Sequence, residues 1–299
     1  MEAISLAHDL GHTPFGHAGQ DALNGCMQAH GGFEHNLQSL RVVDHLEERY
    51  PDYDGINLTF ETREGVLKHC SQANAQRLEL NEPGGVGGRF LRKEQPSLEA
   101  QLCNLADEIA YNAHDIDDGV RSGLITLAQL TDVPLFDHYR CVAQAEHPHL
   151  VGAAMERRLL YEAIRRMLSA QVYDVIEATS AALASAAPRS VDDVRMAATL
   201  VGFSAPMRAQ SSELKRFLFK NLYRHPQVVE TTGRAQRVVT ELFAAYVAEP
   251  REMKPRFTRQ ALEGEPSARA RAVADFIAGM TDRFAGREHE RLTGLRLLG

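Results

Sequence analysis

The chain has 299 residues, 44% of them hydrophobic and 24% charged, with a net charge of −7. This composition is that of an ordinary globular protein, long enough for one large domain or two modest ones. The acidic balance argues against a broad basic surface for duplex nucleic acid, although a local basic patch is compatible with it. Four cysteines, none in a CxxC pair, disfavour a zinc knuckle or a disulfide scaffold and indicate a reducing cytosol.

Apolar residues follow helical spacing along most of the chain, and no segment shows the strict alternation of a half-buried strand. We therefore expect an all-α protein. Helices are predicted over residues 98–118, 155–168, 191–201, 214–222, 234–247 and 268–284. Ser190 is the predicted N-cap of the helix 191–201. No apolar run is long enough to cross a bilayer and no signal peptide precedes the first motif, so we expect a cytoplasmic protein without a membrane partner.

The first residues already follow a helical pattern. Ala3, Ile4, Ala7 and Leu10 have helical spacing, and no residue before them resembles an N-cap. This pattern predicts that the chain starts partway along a helix and that a preceding segment is absent.

The stretch HDLGHTPFGH, from residue 8 to residue 17, concentrates ligand chemistry. Five of the thirteen histidines lie in the first 35 residues, and histidine is both the commonest metal ligand and the side chain that titrates near neutral pH. The nitrogen and oxygen of His8 and Asp9 suit six-coordinate Mn²⁺, Mg²⁺ or Fe²⁺ better than structural zinc. An isolated His–Asp pair is more often a helix end beside a capping aspartate. The glycines and the proline that follow the pair favour the functional interpretation, because they place the next histidines on irregular backbone.

Two later segments are informative. The glycine-rich loop 84–88 follows no strand and precedes no Gly-Lys-Ser/Thr sequence, so we interpret it as a mobile surface loop, not a phosphate cradle. In the predicted helix 98–118, a polar stripe lies opposite an apolar face; it consists of Asn104, Asp107, Tyr111 and Asp115. A solvated face more often carries Lys and Glu, so the stripe predicts the wall of a pocket.

Six segments, in chain order, carry a resemblance to a known family: HDLGHTPFGHAG, GGFEHNLQSLR, NLTFETREGVLKH, LADEIAYNAHDIDDG, ELKRFLFKNLYRH and DFIAGMTDRFA. Together they resemble the HD-domain deoxynucleoside triphosphate triphosphohydrolases, in their bacterial dGTPase-like branch. The resemblance implies an all-helical oligomer, often a hexamer, that hydrolyses a dNTP to deoxynucleoside and inorganic triphosphate. It places the HD-domain metal and nucleotide site in residues 1–130 and a helical region that completes the pocket and the oligomer contacts in residues 131–299, within one continuous domain.

The resemblance also implies a set of metal ligands. His8, Asp9 and Asp107 match three of the four ligands of one divalent ion, Mn²⁺ or Mg²⁺ with Fe²⁺ or Co²⁺ as alternatives. The fourth, a histidine on an upstream helix, has no counterpart here. We therefore expect either a truncated or misassigned start or a product that has lost a ligand and binds metal less tightly.

Four further residues match groups around the scissile bond. His17 matches the histidine that assists attack at the α-phosphorus or protonates the leaving 5′ oxygen. Gln20 stands where the family often has an acidic partner of that histidine, and glutamine can orient an imidazole without carrying charge or accepting a proton. His12 and His35 match histidines that face the phosphates.

The remaining matches concern the sugar and the triphosphate. Tyr111 and Asp115 match residues beneath the sugar, where a ring close to C2′ and a carboxylate on the 3′-OH select deoxyribose. An acidic protein must also bring cations to a triphosphate. The candidate triphosphate ligands are Lys68, Lys215, Lys220, Tyr223 and Arg224.

The leading hypothesis is thus a metal-dependent dNTP triphosphohydrolase. One alternative is another HD-type phosphohydrolase, such as a nucleotide monophosphatase or a cyclic-dinucleotide phosphodiesterase. The other is a catalytically impaired nucleotide-binding oligomer, which Gln20 and the missing ligand favour. The sequence leaves open which dNTP is preferred and whether a second nucleotide or single-stranded DNA acts as an effector.

Overall fold

The computed structural model describes residues 1–298 and is built from helices. In this part of the chain, extended pairing is limited to one isolated bridge between Glu48 and Gly55. The all-α prediction is confirmed. The α-helices are α1 (Glu2–Ala7), α2 (Gly16–Met27), α3 (His35–Arg41), α4 (Phe60–Val66), α5 (Gln72–Asn81), α6 (Gly88–Arg92), α7 (Leu98–Arg121), α8 (Leu127–Leu130), α9 (Pro134–Glu146), α10 (Glu156–Ala186), α11 (Val191–Met196), α12 (Ala205–Leu218), α13 (Pro226–Ala248), α14 (Pro255–Glu263), α15 (Pro266–Ala278) and α16 (Asp282–Thr293).

Short turns of the 3₁₀ or π type lie at the ends of several of these helices or between them. A π-type turn, Val42–Leu46, continues α3, and another, Phe219–Tyr223, continues α12. Turns of the 3₁₀ type lie at Gln28–His30, Ala153–Met155 and Pro250–Glu252. Among the described helices, none has the combination of length and apolar character that crossing a bilayer demands.

The chain divides into two compact units. The first unit joins Met1–Lys93 to Val229–Gly299, and the second is Glu94–Val228. The predicted division at residue 130 separates the metal and nucleotide site from the region that completes the pocket. It is a statement about function and stays a prediction.

The first unit is organised around α15, whose carboxyl-terminal half is buried on every side. Its residues from Ala272 to Ala278 are all buried, as expected of a helix whose whole circumference lies in a core. Leu23 and Met27 of α2 and Tyr246 of α13 belong to the same core. A smaller core in this unit includes Ala7, Leu40 and Val66, so it contains residues of α1, α3 and α4. Val86 belongs to the same core and residues 85–88 are buried, so the prediction of a surface loop over 84–88 is wrong.

The second unit has its core between α7, α9, α10 and α12. Ile109 and Ile116 of α7 are buried in it, and Leu98, Leu102 and Leu105 pack against it. The apolar face predicted for the helix 98–118 is therefore confirmed. Its complement, the polar stripe, faces away from this core.

Two predicted helices are shorter or broken. The helix expected over 268–284 is wrong as a single element, because α15 ends at Ala278 and the Thr281 side chain caps the start of α16 by accepting from Phe284 N–H (3.3 Å). The helix expected over 191–201 ends at Met196, since Leu200 and Val201 N–H donate to the Gln101 side-chain oxygen (3.0 and 3.1 Å). Its predicted N-cap, Ser190, is confirmed, with the Ser190 hydroxyl accepting from Asp193 N–H (3.1 Å).

A buried carboxylate joins α3 to α15. The Asp275 side chain is fully buried and accepts from Arg41 Nε (2.9 Å to each oxygen) and Arg41 Nη2 (2.7 Å). The Gln38 amide adds a third donor group at 3.0 Å. A buried charge is tolerated only when it is paired and fully hydrogen-bonded, so Asp275 fixes the position of α3 in the first unit.

We predict that Arg41→Leu lowers the free energy of unfolding by about 3 kcal/mol, because it leaves the Asp275 charge buried with only the Gln38 amide. Urea unfolding at pH 7 measures the change. Arg49→Leu is the matched control, since the Arg49–Glu47 pair is 73% and 39% exposed and its loss should change the free energy by no more than about 0.5 kcal/mol. Equal losses in the two variants would contradict the role given to Asp275.

Candidate functional site

His8 and Asp9 lie at the carboxyl end of α1. His8 Nδ1 is 2.9 Å from the Ser5 carbonyl oxygen, which can only accept, so Nδ1 carries a proton and Nε2 is the acceptor nitrogen of the neutral ring. Nε2 lies 3.4 Å from Asp9 Oδ2. Two ligands on one divalent ion are about 3 Å apart, and metal-binding histidines commonly donate their other N–H to a backbone carbonyl. The pair therefore has the geometry of a metal half-site.

Lys68 is the cation nearest to this pair that the structure identifies. It follows α4, and its Nζ is 3.7 Å from Asp9 Oδ1 with only 8% of the side chain exposed. The ammonium group thus lies at the same carboxylate that is expected to bind metal.

The loop after the pair lies directly on α3. A Cβ atom on Gly11 would come within 2.1 Å of Ser39 N and 2.3 Å of His35 O. Gly11 N–H donates to Ser39 Oγ (2.9 Å), and that hydroxyl donates to the His8 carbonyl (3.0 Å). Only glycine permits such an approach, and the approach holds the His8–His12 loop against the first turn of α3.

Three histidines converge at this point, and we call His12, His17 and His35 the histidine cluster. His12 lies on the loop, while His17 is near the start of α2, whose entry runs through the left-handed residues Phe15 (φ 64°) and Gly16 (φ 58°). The ring centroids are 4.7 Å apart for His12 and His35, and 5.3 Å for His12 and His17. The nearest ring nitrogens of all three lie within 4.8 Å of one another.

His35 begins α3, and its orientation is fixed by two neighbours. Glu34 caps the helix by accepting from Asn36 and Leu37 N–H (3.1 Å each). The Gln20 amide oxygen accepts from both the backbone N–H and the ring Nδ1–H of His35. Burial lowers the pKa of His35, and the neighbouring His12 and His17 lower it further against the opposing effect of Glu34. The imidazole is therefore neutral at pH 7.

In the second unit, two residues of the polar stripe meet a residue from the turn after α12. The Tyr223 hydroxyl donates to Asp115 Oδ2, and the rings of Tyr223 and Tyr111 lie parallel within 14° at a centroid distance of 6.4 Å. We call Tyr111, Asp115 and Tyr223 the tyrosine–aspartate cluster. Burial raises the pKa of Asp115, while the hydrogen bond from Tyr223 lowers it. The half-buried Asp115 carboxylate beside two aromatic rings can accept a hydrogen bond from a hydroxyl group of a ligand.

The predicted cations of the C-terminal half lie in the same unit. Lys215 Nζ pairs with Glu108 Oε1 at 2.6 Å. The Arg224 guanidinium lies 4.6 Å from the centre of the Phe219 ring, and both Arg224 and Lys220 are exposed. Arg224 and Lys220 are thus available at the surface, whereas Lys215 already has a carboxylate partner.

Comparison with known proteins identifies the family. The HD domain matches residues 1–112, and a phosphohydrolase-associated domain matches residues 201–291. A Ralstonia nicotianae protein described as a deoxyguanosinetriphosphate triphosphohydrolase-like protein is 56% identical over 298 residues, which are 100% of this chain and 74% of the relative. Relatives of the same description from Thiobacillus denitrificans (54%, covering 98% of this chain and 74% of the relative) and Nitrosomonas europaea (50%, 98% and 75%) are also similar. The chain belongs to this family.

The family resemblance drawn from the motifs is therefore confirmed. Within each unit the structure brings several predicted site residues together: His8, Asp9 and Lys68; the histidine cluster with Gln20; and the tyrosine–aspartate cluster. Asp107 lies on α7, half-buried. The catalytic and binding roles of all these residues stay predictions.

Three residues that position the site were missed by sequence analysis. Ser39 joins His8 to Gly11, Glu34 caps α3, and Asp275 holds Arg41 and Gln38. Glutamate is not a preferred N-cap, so Glu34 carried little signal. The family segment DFIAGMTDRFA contains Asp275, and a lone acid in an otherwise apolar helix was the available clue.

We predict that Gly11→Ala lowers the free energy of unfolding by about 3 kcal/mol, because the methyl group would meet backbone atoms of α3 that cannot move aside independently. Chemical unfolding measures the loss, and NMR of the imidazole protons would report the separation of His12 from His35. Gly25→Ala is the matched control: it lies in α2 with no atom within 4 Å of the added carbon, so it should stabilise by about 0.5–1 kcal/mol. An unchanged free energy of unfolding in Gly11→Ala would show that the close approach of Gly11 to α3 is unimportant.

Proposed function

We propose that this protein hydrolyses deoxynucleoside triphosphates to deoxynucleoside and inorganic triphosphate with a divalent metal. The observation that carries the proposal is the His8–Asp9 half-site, with its Nε2–Oδ2 separation of 3.4 Å, in the same unit as the histidine cluster. Relatives that cover nearly all of this chain are described as deoxyguanosinetriphosphate triphosphohydrolase-like proteins, which supports a dGTP-like substrate.

His8, Asp9 and, following the resemblance, Asp107 are proposed to hold the ion. The donor set fits, because neutral imidazole nitrogen and carboxylate oxygen suit Mn²⁺ or Mg²⁺, with Fe²⁺ or Co²⁺ as alternatives. When bound, such an ion polarises the α-phosphate and lowers the pKa of a coordinated water.

The histidine cluster is proposed to act at the bond to be broken. His17, the exposed member of the cluster, transfers a proton to the leaving 5′ oxygen or from the attacking water. His12 and His35 contact the phosphates, and Gln20 keeps the His35 ring in place through its amide oxygen. In-line attack at the α-phosphorus then leaves the triphosphate intact.

The second unit is proposed to supply the groups that recognise the nucleoside and, together with Lys68 of the first unit, those that bind the triphosphate. Asp115 accepts from the 3′-OH, and the Tyr111 ring excludes a 2′-hydroxyl group. The triphosphate carries about four negative charges and needs several cations or hydroxyl donors. The residues proposed for it are Lys68, Lys215, Lys220, Tyr223 and Arg224. For Lys215, this requires exchange of Glu108 for a phosphate oxygen.

We further propose that the protein works in the cytoplasm as a homo-oligomer, with a hexamer as the form that the family resemblance implies. Exposed apolar side chains on α10 support a contact surface, because Tyr161, Val172, Tyr173 and Ile176 are 41–66% exposed. The resemblance also leaves room for single-stranded nucleic acid as an effector.

Incubation with dGTP and Mn²⁺ tests the proposed reaction, and we predict tripolyphosphate and deoxyguanosine as the products. Asp9→Ala should lower kcat/KM at least about 100-fold, because it removes a charged ligand of the ion. Asp21→Ala, at an exposed position of α2, should leave turnover unchanged. Release of orthophosphate would assign the protein to another class of HD phosphohydrolase. Tight dGTP binding without turnover, in the presence of each of the four metals, would assign it to non-catalytic nucleotide binding.

We predict that Gln20→Glu raises kcat about 10-fold. A carboxylate beside His35 stabilises the protonated imidazoles of the cluster, and such acid–base assistance typically contributes a factor of about 10²–10⁴ when complete. Steady-state kinetics across pH 6–9 measures the effect, with the pH optimum moving upward as the added carboxylate raises the pKa of His35. Gln28→Glu, an exposed position after α2, controls for the added charge. An unchanged rate and an unchanged pH profile would contradict a role for residue 20 in catalysis.

A further inference from the structure

The histidine cluster has the geometry of a metal site in its own right. Its three imidazoles come from a loop, from α2 and from α3, and their nearest ring nitrogens lie within 4.8 Å of one another. Three nitrogens on one zinc ion, each at 2.0–2.1 Å, are about 3.4 Å apart. Small side-chain rotations, directed towards the centre of the cluster, would close that difference.

Gln20 determines which ring nitrogen of His35 can bind a metal ion. An amide oxygen can only accept, so the bond from Nδ1 to the Gln20 oxygen places the proton on Nδ1 and leaves Nε2 as the acceptor nitrogen. Ligating histidines almost always have such a partner on their other nitrogen.

The charge around the cluster also favours a cation. Glu34 Oε1 is 3.4 Å from His35 Nδ1, and Asp9 and Glu34 both act electrostatically on His35 in the direction that stabilises positive charge. Three imidazole nitrogens without an oxygen ligand suit Zn²⁺, Ni²⁺ or Cu²⁺, whereas Mg²⁺ and Mn²⁺ prefer the carboxylate oxygen that Asp9 offers. The two sites therefore differ in the ions they select.

We propose that His12, His17 and His35 form a second metal site, which binds a zinc-class ion separately from the ion held by His8 and Asp9. Three protein ligands leave one tetrahedral position for water or an anion. An ion bound there occupies the nitrogen of His17. If the proposed function holds, this removes the proton-transfer group, and zinc acts as an inhibitor of the Mn²⁺-supported reaction.

Direct titration with ZnCl₂ against a chromophoric zinc chelator tests the site without reference to turnover. The full-length Asp9→Ala variant serves as the background, because it weakens the other half-site. We expect it to bind one zinc per chain, and the added change His17→Gln to weaken zinc binding at least about 100-fold. Gln20→Ala in the same background should weaken it about 10-fold through loss of the group that orients His35. His45→Gln, an exposed histidine of the same unit, should leave the affinity unchanged.

A second measurement covers the case in which Asp9→Ala does not fold. Zinc K-edge absorption of the wild-type protein in excess Mn²⁺ should show a first shell of three imidazole nitrogens and one lighter scatterer. Unchanged zinc affinity in His17→Gln, or a zinc shell rich in carboxylate oxygen, would overturn the proposal. Because neither readout uses substrate, the second site can fail while triphosphate release from dGTP stands, and the reverse also holds.

Discussion

The close approach of Gly11 to α3 is the constraint on which the candidate site depends. One hydroxyl, that of Ser39, accepts from Gly11 N–H and donates to the His8 carbonyl. The segment that carries His8, Asp9 and His12 is therefore fixed to the helix that begins with His35. Because the contact uses backbone atoms and the Ser39 hydroxyl, it positions the candidate ligands without using any of their own side chains. The candidate functional side chains can then be exposed to solvent while the backbone contact that positions them is buried.

The position of α3 in turn depends on a buried charge, that of Asp275, which is costly to remove from water. Asp275 lies within the buried segment 272–278 of α15, and its carboxylate accepts hydrogen bonds from Arg41 and Gln38 of α3. An apolar pair of the same size would often be as stable. What the ionic pair adds is orientation, because a guanidinium that donates from two nitrogens to one carboxylate permits a single alignment of the two helices. Arg41 is the last residue of α3, so its bond to Asp275 also determines where the first residue, His35, and its partner Gln20 lie.

Sequence reasoning succeeded where the cause of a feature lies within a few residues. The apolar spacing of α7 and the cap at Ser190 are local patterns, and the structure confirms both. It failed at the break between α15 and α16, where Gly279 and the Thr281 cap outweighed continuous helical spacing. The contacts of Tyr223 with Asp115 and of Arg41 with Asp275 join residues 108 and 234 positions apart, and no periodicity reports such pairs. Gly11 was read as a helix breaker, because a sequence shows that a glycine is present but not which backbone it approaches.

The two clusters handle ionisation in opposite ways, and this difference indicates what each can do. In the histidine cluster, burial and neighbouring imidazoles keep His35 neutral, so its ring binds a metal or donates a hydrogen bond more readily than it carries charge. In the tyrosine–aspartate cluster, burial works against the charged form of Asp115, while the Tyr223 hydroxyl offsets part of that cost. A further hydroxyl donor at this carboxylate would offset more of that cost. The proposed contact of Asp115 with the 3′-OH fits this environment, because a sugar brings a hydroxyl donor and an ionised phosphate does not.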